Sequence, residues 1–316
     1  MIGRFLRFLA VFVGCALLAG AGVAIWLHHH DSQGEIALYL TTAVPFAVIA
    51  GALAVVIFAA TRRWILLALS VVVTLGVVYT QIPLWRAQAA PAGQPITIVS
   101  ANILFGGADI DALARQVADA DADLLSVQEV TPEALARLRA GSIARQLPYE
   151  YAVPGPVSAG TALFSRTPLR GQTQVDGTVL RNLEAQTDLA GAAGTRVLAL
   201  HPGAPLRGRS QVWKDDIDSI RDHLSGLPPG PAIAAGDFNA TWDQARYRAL
   251  LQNGFADATD QAGAGFVATW PTDRPGGAPV IAIDHVITRG FVATSIRTFD
   301  LPGSDHRGVV VSLVAS

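Results

Sequence analysis

Short polar motifs follow a series of apolar runs in the last two thirds of the chain. The runs are short and partly β-branched, as is typical of buried strands, and they cover residues 96–99, 124–127, 197–200, 232–235 and 280–283. The polar motifs are Ser100-Ala101-Asn102, Gln128-Glu129, Leu200-His201, Gly236-Asp237-Phe238-Asn239, Asp284-His285 and Ser304-Asp305-His306. Because the motifs end predicted strands or enter the final one, we expect their side chains to form one active site at strand ends.

Charge is distributed unevenly along the chain. Residues 1–92 contain five of the 23 basic side chains and two of the 25 acidic ones, which leaves 18 basic and 23 acidic side chains in residues 93–316. The C-terminal part therefore has a formal charge of −5 and is long enough to bury a substantial core as one domain. Cys15 is the only cysteine, so no internal disulfide can form.

Three apolar segments precede this domain, at about residues 5–27, 36–60 and 64–85. Each has few or no charges and is long enough to cross a hydrocarbon layer of roughly 30 Å, so the sequence predicts three transmembrane helices. Membrane helices tolerate a proline such as Pro45. A cleaved secretory signal is the alternative for the first segment, but its apolar core is longer than usual and two further segments follow.

The arginines of the short loops predict the orientation in the membrane. Arg4 and Arg7 lie at the N-terminal end of the first segment, Arg62 and Arg63 join the second to the third, and residues 28–35 contain no Lys or Arg. Because positive charge marks the cytoplasmic side, we expect a multi-pass protein of the cell membrane with a cytoplasmic N-terminus and an extracytoplasmic catalytic domain. Arg86 weakly opposes this orientation.

We predict a transmembrane anchor over residues 1–86, a linker over 87–95 that is rich in Ala and Pro, and a catalytic domain over 96–316. A linker of about ten residues spans roughly 15–20 Å on average, so the domain would work near the bilayer. Amphipathic spacing predicts helices over 109–120, 132–140, 211–224 and 243–252. Further strands are predicted over 149–153, 161–165, 183–189, 291–298 and 309–313.

The order and spacing of the polar motifs resemble those of the endonuclease/exonuclease/phosphatase (DNase I-like) superfamily. The resemblance covers about residues 96–314 and includes secondary marks at 164–169 and at Thr269-Trp270-Pro271. It implies an α+β fold, a four-layer α/β/β/α sandwich, here preceded by three transmembrane helices, with a metal-dependent site that hydrolyses phosphate esters or anhydrides. The three-span layout also resembles membrane proteins of this superfamily associated with teicoplanin-type glycopeptide resistance, which implies cell-wall lipid carriers as substrates.

The predicted metal ligands are oxygen donors. Cleavage of a P–O bond needs charge on the phosphoryl oxygens to be neutralised and a water to be activated, and Mg²⁺ commonly does both. Glu129 is the first choice as ligand, with Asn102 beside it, because Mg²⁺ is usually held by one or two carboxylates. Asp305 is expected to face the cation or its water, and Mn²⁺ is the alternative cation.

The predicted catalytic groups include two histidines. His306 is the candidate general base, because an imidazole can accept a proton from the attacking water near neutral pH. The resemblance implies that Asp284 orients this imidazole. His201 is expected to donate to a phosphate oxygen or to the leaving group, and His285 is interpreted as structural.

Asp237 and Asn239 are two residues apart, so on an extended segment both would point to the same face. Asn239 could donate to a phosphoryl oxygen, and Asp237 could orient the water or protonate the leaving group. The competing interpretation is an Asp/Asn turn that begins the next helix. Arg207 and Arg209, in the loop after His201, are the candidate ligands of the substrate phosphate.

The substrate is predicted from charge and tethering. A nuclease neutralises a polyanion with Lys and Arg, whereas this domain has a charge of −5 and one lysine, Lys214. We therefore favour a lipid-linked phosphate or pyrophosphate as substrate, with the lipid bilayer as partner. The alternatives are a surface-tethered nuclease, which makes nucleic acid a less favoured partner, a sphingomyelinase-like phosphodiesterase and, least favoured, a binding module without activity.

Overall fold

The computed structural model describes residues 2–31, 34–274 and 276–316. The chain divides into two compact units. The first consists of Met1–Pro83 together with Trp242–Arg248, and the second of Leu84–Thr241 together with Ala249–Ser316. The predicted partition into anchor, linker and catalytic domain stays a prediction, although Gln88 of the predicted linker donates a backbone hydrogen bond to Gln261 within the second unit.

The first unit contains apolar helices, and the second combines helices with two sheets. The helices are α1 Ile2–His29, α2 Glu35–Thr41, α3 Ala47–Ala60, α4 Trp64–Gln81, α5 Ile110–Asp119, α6 Pro132–Ala140, α7 Ile143–Gln146, α8 Ser210–Gly226, α9 Ala245–Arg248 and α10 Ala258–Ala262. The strands are β1 Ile96–Asn102, β2 Leu124–Gln128, β3 Tyr149–Val153, β4 Thr161–Ser165, β5 Arg170–Gln174, β6 Leu183–Leu189, β7 Ala192–Leu200, β8 Ala232–Asp237, β9 Ala256–Asp257, β10 Asp284–Arg289, β11 Phe291–Asp300 and β12 Arg307–Ala315.

Two helical segments in the first unit are long and apolar enough to cross a membrane, Gly3–His29 and Trp64–Trp85. The second predicted span is interrupted, because α2 and the segment Val44–Ala60 meet at an angle of 55°. Pro45 lies in the 3₁₀ turn Val44–Phe46 at this break, and a proline removes a helical hydrogen bond. The described chain therefore has two such helices, or three if the bent pair forms one span.

The segment 242–248 belongs to the first unit and differs from its predicted structure. The helix predicted over 243–252 is limited to the single turn α9. Asp243 precedes this turn and is buried, with its Oδ1 atom 2.7 Å from His28 Nδ1 at the end of α1 and 2.8 Å from the Nε2 donor of Gln81. A buried carboxylate needs such hydrogen-bond partners. The amphipathic pattern places Asp243 on the exposed face of a helix, whereas these partners hold it in a buried position before the helix begins.

The second unit contains two six-stranded sheets. The first has the order β11-β12-β1-β2-β4-β3 and the second the order β5-β6-β7-β8-β10-β9. Side chains of β1 alternate between two cores, because Ile96 and Ile98 pack between the sheets whereas Val99 and Ala101 pack against α5 and α6. Helix α8 covers the other sheet with its buried face, which includes Trp213 and Ile220. The predicted four-layer α/β/β/α sandwich is confirmed.

The predicted helix starts in this unit agree with the structure. The side chain of Asp109 accepts from Ala112 N at the start of α5, and that of Thr131 accepts from Ala134 N at the start of α6. These side chains satisfy backbone donors that a helix leaves free at its N-terminus.

One predicted strand is displaced. The run 280–283 forms only an isolated bridge, between Ile281 and Trp270, and the strand begins at Asp284 instead. β10 runs antiparallel to β8, with Asp284 opposite Asp237, so the start of β10 meets the end of β8. The edge strand β5, whose five residues are all exposed, was also missed because it lacks an apolar face.

Gly236 permits a close approach of two strands. A Cβ atom at this position would lie 1.8 Å from the carbonyl oxygen of Leu200 on the parallel neighbour β7. Because overpacking typically costs about 1–3 kcal/mol, and backbone cannot move as easily as a side chain, we expect Gly236→Ala to lower Tm by roughly 5 °C or more. Gly226→Ala is the control, since no atom lies within 4 Å of its added Cβ. Equal melting temperatures for the two variants would contradict this packing.

Asp260 in α10 should make the stability depend on pH. Burial, with the charge of Asp257 second, raises the pKa of Asp260 to about 6. The folded pKa exceeds the unfolded value of about 3.9. The contribution of Asp260 to the free energy of unfolding is therefore most favourable below about pH 4 and is lost as the pH rises through about 6. We expect Asp260→Asn to raise Tm at pH 7 and to leave it unchanged at pH 4. Tm measured at both pH values, with the exposed Asp111→Asn variant as the control, checks this. The same dependence of Tm on pH in both variants would contradict it.

Candidate active site

The predicted site residues meet at one edge of the two sheets. Strands β1, β2, β7 and β8 end at this edge, whereas the antiparallel strands β10 and β12 begin there. The side chains delivered to the edge are Asn102, Glu129, His201, Asp237, Asp284, Asp305 and His306. Sequence positions separated by about 200 residues are therefore joined in one cluster.

Asn102 connects two carboxylates at the centre of the cluster. Its Nδ2 atom donates to Glu129 Oε1 at 3.2 Å and to Asp237 Oδ2 at 3.1 Å. Its Oδ1 atom accepts from Leu104 N at 3.0 Å, which fixes the orientation of the amide. Phe105 N donates to Glu129 Oε2 at 2.8 Å. The two oxygens of Glu129 are thus held by the last residue of β1 and by the turn that follows it.

Two site residues have left-handed backbone conformations without being glycine. The φ angle is 63° at Glu129 and 49° at Asn239. Asn239 N donates to Asp237 Oδ1 at 2.8 Å, and Asn239 Nδ2 donates to Pro202 O at 3.1 Å. The strand therefore ends at Asp237, so the extended arrangement of Asp237 and Asn239 is wrong. The competing Asp/Asn turn is present, but it does not begin a helix, because α9 starts only at Ala245. Conformations of this kind persist where the surrounding structure enforces them, often at functional sites.

His306 is held by Asp284, as the resemblance implied. The Nδ1 atom of His306 lies 2.9 Å from Asp284 Oδ2, and its Nε2 atom lies 3.7 Å from Asp237 Oδ2. Thr269 Oγ1 accepts from the backbone nitrogens of Ile283 and Asp284 at 3.2 and 3.3 Å. One ring nitrogen is therefore oriented by a carboxylate while the other faces the cluster.

Burial and charge shift the protonation equilibria of the cluster. Burial raises the pKa of Glu129, against the hydrogen bonds from Phe105 and Asn102. Burial also raises the pKa of Asp237, and the nearby Asp284 raises it further. Burial opposes the charged form of His306, but Asp284 and Asp237 outweigh it and raise the pKa of His306 to about 10.

His201 is buried beside the same carboxylates. Its Nε2 atom lies 3.7 Å from Asp237 Oδ2 and 4.0 Å from Glu129 Oε1, and its backbone nitrogen donates to Asn182 Oδ1. Burial lowers the pKa of His201, which favours the neutral imidazole. The two histidines of the site therefore have opposite tendencies to carry charge.

Asp305 is positioned by residues outside the predicted set. Trp270 Nε1 donates to Asp305 Oδ2 at 2.9 Å, whereas Asp305 Oδ1 is buried without a hydrogen-bond partner among the described residues. Ser304 Oγ donates to Asn102 O at 2.8 Å and accepts from His306 N at 3.0 Å. Trp270, Ser304 and Thr269 are thus positioning residues that sequence reasoning did not assign, although it marked their motifs.

The donor set fits a divalent cation. Four carboxylates, of Glu129, Asp237, Asp284 and Asp305, face two imidazoles, and in the described ranges no Lys or Arg forms an ion pair with them. Ligand atoms of Asp237, Asp284 and His306 all lie within 4.8 Å of one another. Because buried negative charge requires compensation and hard cations prefer oxygen ligands, Mg²⁺ or a similar ion fits this cluster.

Three other positions considered in the sequence are Arg207, Arg209 and His285. Arg207 and Arg209 are exposed in the loop after His201, and within the described ranges neither guanidinium forms an ion pair with the site carboxylates. His285 is held between Asp257 Oδ2 at 3.0 Å and Ala240 O at 2.9 Å, in agreement with a structural role. The sequence pattern indicates a solvated helix face for His223, but this interpretation is wrong, because the side chain is half-buried and its Nε2 atom lies 2.6 Å from Glu184 Oε2.

Comparison with known proteins gives a family match. A model of the Endonuclease/Exonuclease/phosphatase family matches residues 99–306, which include all the motifs from Asn102 to His306. A UPF0294 protein of Vibrio vulnificus is 32% identical over 102 residues. That match covers 32% of this chain and 32% of the relative, so the chain matches about a third of the relative's length.

Solved structures of low sequence identity share the fold. Humanized TDP2 of D. rerio, with 14 mutations, is 18% identical with a TM-score of 0.58, over 69% of this chain and 98% of that one. An endonuclease/exonuclease/phosphatase from Beutenbergia cavernae is 20% identical with a TM-score of 0.56, over 71% and 72% of the two chains. D. rerio TDP2 complexed with a single-strand DNA product is 17% identical with a TM-score of 0.53, over 70% and 99%.

Proposed function

Because this chain belongs to the endonuclease/exonuclease/phosphatase family, whose members are hydrolases that act on phosphate esters, we propose a specific reaction for it. The protein is a membrane-anchored, divalent-metal-dependent phosphohydrolase or phosphodiesterase that acts on a lipid-linked phosphate or pyrophosphate. The observation that carries the reaction class is the buried cluster of four carboxylates and two imidazoles at the sheet edge.

Glu129, Asn102 and Asp305 are the residues that hold the cation in this proposal. Glu129 supplies a carboxylate oriented by two hydrogen bonds, and Asp305 supplies a buried oxygen that has no hydrogen-bond partner among the residues the structure describes. Asn102 keeps Glu129 and Asp237 in fixed positions. When bound, Mg²⁺, or Mn²⁺ as the alternative, neutralises charge on the phosphoryl oxygens and lowers the pKa of a coordinated water.

His306 is the proposed general base, and Asp284 is its positioning residue. With a pKa of about 10, His306 is an imidazolium at neutral pH while the carboxylates around it are uncompensated. Its Nε2 atom can accept the proton of the attacking water only once that negative charge has been offset. Asp284 holds the Nδ1 proton and stabilises the imidazolium that forms.

The remaining residues are assigned to the substrate phosphate. His201 and Asn239 are the proposed donors to the phosphoryl oxygens or the leaving group. Asp237, whose carboxylate lies 3.7 Å from both histidines, is the proposed group that orients the water or protonates the leaving oxygen. Arg207 and Arg209 extend the phosphate site in the loop beyond His201.

Charge and apolar helices support a lipid-linked substrate. The residues after 92 have a formal charge of −5, and the single lysine, Lys214, is 2% exposed. Contacts to nucleic-acid phosphates come mainly from Lys and Arg, so this surface is poorly suited to tracking DNA. A nuclease is the second candidate, since the similar D. rerio TDP2 structure contains single-strand DNA product. A sphingomyelinase-like diesterase is the third.

A substrate panel tests the proposal. Full-length protein in lipid nanodiscs with Mg²⁺ would be offered a polyprenyl pyrophosphate, plasmid DNA and sphingomyelin in parallel. We expect phosphate release from the polyprenyl pyrophosphate and neither DNA nicking nor phosphocholine release. Strong nicking without lipid turnover would replace the proposal with the nuclease, and inertness toward all three would favour a binding module.

A compartment-sensitive reporter tests the proposed localisation, in which the N-terminus is cytoplasmic and the catalytic domain is extracytoplasmic. We expect a reporter that is active only outside the cytoplasm to be active when fused after Ser316, because three crossings from a cytoplasmic start end outside. The matched control is the same reporter fused after Arg63, which should be inactive. Activity of the C-terminal fusion on the cytoplasmic side alone would refute this topology.

A further inference from the structure

Four large apolar side chains of the second unit are exposed on loops near the carboxylate cluster. Phe105, Val157, Val179 and Leu206 are 51%, 60%, 65% and 60% exposed. We call these four residues the apolar rim. The other large apolar side chains that the structure describes as exposed in this unit are Trp85, Tyr149 and Phe266. Four of the seven large apolar side chains that the structure describes as exposed in this unit therefore belong to the apolar rim.

Two rim residues lie on loops that contact the segment around Glu129. Phe105 N donates directly to the Glu129 carboxylate at 2.8 Å. Val157 lies in the loop between Gly155 and Gly160, and both ends of this loop form backbone hydrogen bonds with Val130, the residue after Glu129. Phe105 is thus tied to the Glu129 carboxylate, and the Val157 loop is tied to the backbone of the next residue, Val130.

The other two rim residues lie on loops that Asp216 joins. Asp216 Oδ1 accepts from Val179 N at 3.0 Å, and Asp216 Oδ2 accepts from Gly203 N at 2.8 Å, in the loop that contains Leu206 and begins at His201. Arg181 N donates to Ala159 O, which joins the Val179 loop to the Val157 loop. Consecutive hydrogen bonds therefore connect the loops of Val157, Val179 and Leu206.

The backbone at two rim positions is strained. The φ angle is 52° at Phe105 and 55° at Val157, and a β-branched residue rarely adopts a left-handed conformation. Neither side chain is buried in return, so packing within the unit does not account for these conformations. Strained conformations of this kind are typical of functional positions.

Arginines accompany the apolar rim. Arg137 donates to Gly106 O beside Phe105, Arg181 follows Val179 by two residues, and Arg207 and Arg209 flank the exposed turn after Leu206. Asp176 is the exposed acidic residue of the Val179 loop. Four cations are thus grouped with four apolar side chains although residues 93–316 have a formal charge of −5.

We propose that the apolar rim docks on the surface of an anionic lipid bilayer. Its side chains enter the boundary between headgroups and acyl chains, and the accompanying arginines contact lipid phosphates. Surfaces that bind membranes in this way combine exposed apolar side chains with adjacent Lys or Arg. The chain also contains two or three helices that are long and apolar enough to cross a membrane. This inference goes beyond the proposed reaction and does not depend on the identity of the substrate.

A fluorescent probe at the rim tests the docking directly. In full-length Cys15→Ser protein, Leu206→Cys would be labelled with an environment-sensitive dye, and Ser295→Cys on β11 would be the matched exposed control. We expect the dye at position 206 to shift to shorter wavelength, and to be quenched by lipid-borne quenchers, in phosphatidylglycerol nanodiscs and less in phosphatidylcholine ones. A dye at 206 that stays as hydrated as the dye at 295 would overturn the proposal.

Activity gives a second readout of the docking. The double variant Val179→Ser, Leu206→Ser removes two apolar side chains that would otherwise be buried in lipid. The lost burial free energy predicts a roughly tenfold loss of polyprenyl pyrophosphate turnover in nanodiscs. Turnover of a soluble aryl phosphate ester should be retained. An equal loss on both substrates would contradict the docking. If wild-type protein turned over no lipid phosphate but its rim dye entered lipid, the proposed substrate would fail and the docking would stand.

Discussion

Replacing Glu129 with Gln is expected to lower kcat/KM by roughly 10³-fold and to abolish the response of the protein to Mg²⁺. The reason is that Glu129 is the proposed anionic ligand, and loss of one transition-state charge interaction in a water-poor site commonly costs about 3–4 kcal/mol. Gln occupies the same volume and can still accept a hydrogen bond from Phe105 N. The substitution therefore tests the charge rather than the shape of the side chain.

The measurement combines activity with thermal unfolding. A ligand that binds only the folded state stabilises it by RT ln(1 + [L]/Kd), so the wild-type Tm should rise with Mg²⁺ concentration and that of Glu129→Gln should not. Glu133→Gln, four residues away and exposed on α6, is the matched control and should behave as wild type. A Glu129→Gln protein with normal turnover would eliminate this residue as a ligand.

Replacing His306 with Gln is expected to lower kcat by roughly 10²–10⁴-fold, the usual contribution of a positioned general base. Metal affinity should be retained, because the proposal assigns the cation to Glu129, Asn102 and Asp305 and uses His306 only as the base. Asp284→Asn should cause a loss in kcat of the same order, since an amide no longer fixes the Nδ1 proton of His306 or stabilises the imidazolium. His223→Gln is the control, because His223 lies on α8, pairs with Glu184 of β6 and is assigned no role in the site.

The His306 variant also predicts a pH dependence of stability in metal-free protein. Because Asp284 and Asp237 outweigh burial and raise the pKa of His306 to about 10, its imidazolium stabilises the fold fully below the unfolded value of about 6.5. This contribution is lost as the pH rises through 10. The difference in unfolding free energy between wild type and His306→Gln should therefore shrink from pH 6 to pH 10. A difference in unfolding free energy that is constant over this range would show that Asp284 and Asp237 do not raise the pKa of His306.

Much of the fold could be predicted because local patterns and tertiary structure agree. The runs predicted as strands at 149–153, 161–165 and 183–189 are strands with the predicted bounds, and α5 and α6 begin within one residue of the predicted positions. The failures have tertiary causes. Residues 243–252 look amphipathic, but Asp243 is buried against His28, and β5 has no apolar face because it is an exposed edge strand.

The sequence predicted which residues form the site better than it predicted their conformations and contacts. The motifs identified which side chains meet, and the structure brings Glu129 and His306 together through Asn102 and Asp237. Period-two alternation could not reveal the left-handed turn at Asn239, since that turn depends on hydrogen bonds to Asp237 and Pro202. The contact between Trp270 and Asp305 was also hidden, because it joins residues 35 positions apart through a loop.

The central claim is that buried carboxylates at the sheet edge bind one divalent cation. Electron paramagnetic resonance of free Mn²⁺ during titration of metal-free, full-length protein measures this binding directly and requires no substrate. We predict one stoichiometric Mn²⁺ site in the wild type that is lost in Glu129→Gln and kept in Glu133→Gln. Identical Mn²⁺ binding by all three proteins, or no binding by the wild type, would contradict the claim.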